Sequence, residues 1–165
     1  MKRRLLPFVT AVLAVALIAN GAVAAPSAVR TTGDEKVVPN AMVQATLRFT
    51  PGFVGVTSGD DITFKHDDKS TAPHTATIVE AFPGNTLDEI FGCGAPTEPC
   101  GEALAAHAVF GAVVDPGNDG FNEPGDSLFF LDDTSISAQV TAPAGTTLLY
   151  LCAIHPWMQG TIAVR

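Results

Sequence analysis

Tyr150-Leu151-Cys152-Ala153-Ile154-His155-Pro156-Trp157-Met158-Gln159-Gly160 closes one strand-like run and opens another near the end of the chain. Residues 146–152 upstream and 161–164 downstream are rich in β-branched, aromatic and leucine side chains, the composition of half-buried strands. The loop between them carries Cys152, His155 and Met158, three residues apart in turn. A thiolate, an imidazole and a thioether are soft or borderline donors, and a loop this short forces all three around one point. A fourth donor has to come from a neighbouring strand. His74, in Ala72-Pro73-His74-Thr75-Ala76-Thr77, is the candidate, because Pro73 fixes the backbone direction where a loop enters a strand.

Two histidines, one cysteine and a weak methionine form the ligand set of a type 1 copper centre. Each residue alone has a plainer reading. Cys152 would be a small buried hydrophobe, Met158 core packing and His155 a surface imidazole. The joint spacing carries the argument. A zinc site is disfavoured because methionine is a poor zinc ligand. His66, ahead of Asp67-Asp68, reads as a solvated turn residue, and His107 as a helix residue packed or exposed without metal.

Further runs at 43–50, 61–65, 75–79, 127–131 and 136–141 read as short strands, punctuated by turn signals such as Pro51-Gly52 and Gly125-Asp126. Seven such strands predict an all-β, antiparallel sandwich. Residues 83–126 break the rhythm. Segments 86–91 and 98–114 suit helix, with Thr97-Glu98 as a cap and Ala103, Leu104, Ala106, His107 and Phe110 along one face. This stretch reads as a partly helical insertion between two sandwich strands. Within it, Asp115 to Asp126 is similar to a calcium loop, but Gly117 takes the third position and Asp126 the last; an acidic turn is the better reading.

The Pro73-His74 junction, the strand-ending Cys152, His155, Met158 and the strand that Gly160 opens resemble the plastocyanin, amicyanin and pseudoazurin group of cupredoxins. The resemblance covers roughly residues 37–80 and 128–165. The Cys-x2-His-x2-Met spacing is like the shortest loops of that group, as in amicyanin. It implies a Greek-key β-sandwich holding one copper ion near one end, cycling between Cu(I) and Cu(II) and shuttling electrons between redox proteins. An alternative use of the same four residues is to carry or buffer copper. An enzyme is not expected, because His66 and His107 are too few and too scattered to build a further metal cluster. Thr75 stands where the family often has Asn, and its hydroxyl is expected to tie the two ligand loops together.

Lys2, Arg3 and Arg4 precede an apolar run from Leu5 to Val23, and Ala22-Val23-Ala24 has the pattern cut by a signal peptidase. Residues 1–24 therefore read as an export signal, with an uncleaved anchor as the alternative. Residues 25–36 read as a flexible segment, and 37–165 as the domain. Three of the nine basic residues and none of the seventeen acidic ones lie in the leader, so the charge of -8 becomes -11 without it. A chain this acidic repels nucleic acid and favours a redox partner with a basic docking face. We expect a monomer, with no membrane span after cleavage, in a periplasm or at a cell surface. Cys93 and Cys100 flank a Gly- and Pro-rich turn and suit a disulfide in that compartment, the alternatives being free thiols or a soft-metal pair. Cys152 is then the odd thiol, exposed to oxidation unless a metal occupies it.

Overall fold

The computed structural model describes residues 27–165, so the expected export signal lies outside the described residues. In chain order the elements are β1 (Ser27–Thr32), β2 (Glu35–Val38), β3 (Met42–Ala45), β4 (Arg48–Thr50), β5 (Phe53–Val56), β6 (Asp61–Lys65) and β7 (His74–Val79). There follow α1 (Leu87–Gly92), α2 (Pro99–Phe110), β8 (Val113–Val114), β9 (Ser127–Phe130), β10 (Ser135–Gln139), β11 (Thr147–Leu151) and β12 (Gln159–Val164). A four-stranded sheet runs β10-β6-β1-β4 and a six-stranded sheet runs β5-β12-β11-β7-β9-β8, while β2 and β3 form a separate hairpin. Among the described residues no helix is long and apolar enough to cross a membrane.

The two sheets meet face to face because their strands alternate. Ile62 and Phe64 of β6 and Val29 of β1 point inward, opposite Tyr150, Ile162 and Leu128 of the larger sheet. Aromatic rings lock the centre: Phe64 and Tyr150 stand 5.3 Å apart edge to face, and Phe49 lies 4.9 Å from Tyr150. Each such side chain contributes about 1.5–3 kcal/mol on burial. All six residues of β7 are buried, so this strand is covered on both faces. One face meets the core. The other lies under the insertion, where Val79, Leu151 and Ala153 pack with Cys93, Cys100 and Ala103.

Helix α1 begins with a capping box, Thr86 accepting from the Glu89 amide while the Glu89 carboxylate accepts from the Thr86 amide. Cys93 and Cys100 form the expected disulfide and tie α1 to α2.

Several sequence readings need correction. Residues 27–32, taken as part of a flexible segment, are β1, a central strand pairing parallel with β6 and antiparallel with β4. Its signal is weak because the second inward residue is Thr31, polar yet fully buried. The sandwich is thus mixed and not purely antiparallel; β5 and β12 also pair parallel. The run 43–50 is two strands, because the chain leaves the hairpin and enters the sandwich at Leu47, itself 2% exposed. On α2 the buried residues are Cys100 and Ala103, whereas Phe110, placed on the packing face, is exposed. Asp115 and Asp126 direct carboxylate oxygens to the amides of Asp119, Gly120, Asn122 and Glu123, as an acidic turn should.

Candidate metal centre

Sheet pairing brings the distant donor to the loop. His74 opens β7, and β7 runs antiparallel beside β11, with Leu151 facing Thr77. Cys152, one residue beyond β11, therefore falls beside Thr75, whose amide donates to its sulfur at 3.3 Å. The loop that follows is clamped by its own backbone. His155 N–H donates to Cys152 O, Met158 N–H to His155 O, and Cys152 N–H to Met158 O, at 3.1, 2.8 and 3.0 Å.

Three of the four predicted donors converge. His74 Nδ1 lies 3.7 Å from Cys152 Sγ, His155 Nδ1 lies 3.6 Å from it, and the two Nδ1 atoms are 3.2 Å apart. Metal–ligand bonds of about 2.0–2.3 Å at trigonal to tetrahedral angles set donor atoms roughly 3.3–3.7 Å apart. The spacing fits one ion. Met158, fully buried, packs in the same core cluster as Cys152. Two buried imidazole nitrogens and a thiol sulfur, with a thioether beside them, suit copper better than a hard cation.

The surroundings hold these donors ready. Burial lowers the pKa of His74 to about 4 against the opposing pull of Asp68, and burial likewise lowers that of His155. Both imidazoles are therefore neutral at neutral pH, with lone pairs free for a metal. Burial raises the Cys152 pKa, while the Thr75 amide and hydroxyl favour the thiolate.

Two carboxylates escaped the sequence reading. Asp68 Oδ2 lies 2.9 Å from His74 Nε2, both side chains fully buried, though the contact is off the line of an ideal hydrogen bond. A carboxylate behind a ligand histidine fixes the ring and raises its basicity. Nothing in Asp67-Asp68 announced this, since acidic pairs after a strand are usually solvated. Glu35, on the β2–β3 hairpin, stands 3.5 Å from His155 Nε2.

His155 is 6% exposed, with Trp157 5.2 Å from its ring. His66 is buried, not solvated, because its ring packs 4.9 Å from His74 and its Nε2 meets Ala72 O at 3.1 Å. His66, Asp68 and His74 make a second donor group, sharing His74 with the first. His107 stays apart from both.

No protein-family model matches the sequence, and no curated protein matches it. Among solved structures the chain is similar to a purple cupredoxin from Nitrosopumilus maritimus, at 14% identity and a TM-score of 0.45, over 84% of this chain and 99% of that one. It is similar to auracyanin A, a blue copper protein from Chloroflexus aurantiacus, at 18% identity and a TM-score of 0.44, over 86% of this chain and 100% of that one. A reduced auracyanin from Roseiflexus castenholzii stands at 18% identity and a TM-score of 0.45, over 86% and 98%. These neighbours are cupredoxins, but at such levels of likeness it is the donor geometry of the chain itself that identifies what the site fits.

Proposed function

We propose that the chain holds one copper ion through His74, Cys152, His155 and Met158 and passes single electrons between redox proteins outside the cytoplasm. The observation that carries this reading is the convergence of two Nδ1 atoms and one Sγ within 3.2–3.7 Å in a buried pocket. Copper held there supplies a one-electron Cu(I)/Cu(II) couple. The protein's part is to keep the donors still. The backbone-clamped loop and the sheet register of β7 and β11 resist rearrangement between oxidation states, which keeps the cost of electron transfer low.

The Cys93–Cys100 disulfide supports an oxidising compartment. Around Trp157, whose ring packs 5.2 Å from that of His155, lie the exposed apolar side chains of Val43, Leu87 and Phe91. Such a rim suits brief docking of a partner near the ligand edge, and the acidic charge steers a basic one toward it.

The test is the visible spectrum of residues 25–165 after Cu(II) is added to metal-free protein. An intense thiolate-to-copper band that bleaches reversibly with reductant is expected. Cys152→Ser should abolish it, and Met158→Leu should keep it while shifting the potential. A colourless protein with Cys152 reduced and accessible to the metal would sink the assignment.

A further inference from the structure

A line of hydroxyls leads away from the metal centre into the insertion. Ala153 N–H, in the ligand loop, donates to Thr75 Oγ1 at 2.7 Å. Thr75 Oγ1 lies 2.9 Å from Thr77 Oγ1, Thr77 Oγ1 lies 2.7 Å from Ser127 Oγ, and Ser127 Oγ lies 2.7 Å from His107 Nε2. His107 Nδ1 ends the line on Gly111 O at 2.6 Å. Thr75, Thr77 and Ser127 are all buried, so bulk water does not compete for these bonds.

The direction of every bond follows from its ends. Gly111 O can only accept, so Nδ1 carries the proton of the neutral His107 ring and Nε2 accepts from Ser127. A hydroxyl has one proton. Ser127 spends its own on His107, so Thr77 must donate to Ser127, and Thr75 in turn to Thr77. The Thr75 hydroxyl proton is then held by Thr77. When His107 gains a proton, Nε2 becomes a donor to Ser127 and the order reverses. Ser127 donates to Thr77, Thr77 to Thr75, and the Thr75 hydroxyl proton is freed from Thr77 at the ligand loop, where the Thr75 amide lies 3.3 Å from the Cys152 sulfur and Ala153 N–H donates to the Thr75 hydroxyl.

We infer that His107 is a positioning residue for the metal centre: through Ser127 and Thr77 it sets which way the hydroxyls point along the line that ends on Thr75, beside the loop that carries Cys152. The relay is independent of the copper reading, and only its redox consequence rests on that reading. Reversing the order turns the positive ends of the Ser127 and Thr77 hydroxyl dipoles toward the ligand loop, which favours the reduced state of a bound redox metal. Positive charge on His107 acts in the same direction. His107 therefore holds its proton more tightly in the reduced protein, and the reduction potential rises as the pH falls through its titration. Burial lowers the His107 pKa below its ordinary 6.5, opposed by the Gly111 carbonyl, so the rise belongs to the acidic side of that value. The carboxylates carried by elements around the ring are Glu98 and Glu102 at the start of α2, Asp126 beside β9, Asp115 beyond β8 and Glu80 beyond β7. None of them figures among the causes of its shift.

The experiment compares wild-type protein with Thr77→Val, which cuts the relay at mid-length but leaves His107 in place, and with His107→Phe. Ser127→Ala provides a second cut if Thr77→Val does not fold. In metal-free protein, NMR follows the His107 ring through its titration, with the Thr75 amide and hydroxyl protons reporting the far end. In copper-loaded protein, the potential is measured over the same pH range. The Thr75 signals of the wild type should move with His107, and its potential should rise on acidification. Thr77→Val should keep the His107 titration yet lose the Thr75 response and most of the potential shift, and His107→Phe should lose both. Thr75 signals that ignore His107, or a Thr77→Val potential that still shifts like wild type, would overturn the relay. A protein that takes no copper would end the copper reading, and the metal-free spectra would still decide the relay.

Discussion

Asp68 brings a carboxylate into a fully buried position behind His74. Burial pushes its pKa up, but hydrogen bonds from Thr31 and Ser70, with His74 beside it, outweigh that and leave it lowered. The charged form is thus the resident one, and it makes His74 a stronger donor. Asp68→Asn keeps the shape and removes the charge. It should weaken copper binding about 10- to 100-fold, as the loss of such outer partners does, with competition against a chelator as the measurement. An unchanged affinity would mean that His74 needs no carboxylate behind it. The candidate donors were legible at this scale because their spacing and chemistry are local. Asp68, Glu35 and the burial of His66 were not, since each depends on a partner brought in by the fold.

At the scale of elements, β12 must lie flat against its neighbour β11. Gly160 faces Tyr150 across the ladder, and a Cβ at position 160 would overlap the Tyr150 ring. The glycine is there because the ring takes up its space. Gly160→Ala should therefore destabilise the fold by about 1–3 kcal/mol, the usual cost of overpacking a core, read from urea unfolding. Unaltered stability would show that Tyr150 can swing away. Most sandwich strands were legible to within a residue or two, because alternation and turn residues act locally. β1 was missed because its inward residues, Val29 and Thr31, are only two, and one of them is polar. The packing face of α2 was misjudged for a related reason: the disulfide and Ala103, rather than the large residues, meet the sheet.

At the scale of the whole molecule, the 165-residue chain carries a formal charge of -8, and an apolar patch of Val43, Leu87 and Phe91 surrounds Trp157, whose ring packs 5.2 Å from that of His155. On the proposed electron-carrier reading, charge would govern how a redox partner approaches and the patch how it settles. The electron-transfer rate with a basic partner should fall steeply as salt is added, while the rate with a neutral small-molecule oxidant should barely change. Stopped-flow measurements at several ionic strengths separate the two; equal salt dependence would remove the steering.

The Cys152–Met158 loop, a candidate partner histidine, a candidate disulfide and the sandwich character were legible in the sequence, because these follow from spacing, side-chain chemistry and period-two patterning within a few residues. The tertiary structure alone decided that His74 meets Cys152 from 78 residues away and that β1 lies at the centre of a sheet. It also decided that Glu35 reaches His155 and that a hydroxyl line joins the ligand loop to His107. Those features depend on which strands become neighbours, a choice fixed by burial of the whole core and not by any local run of residues.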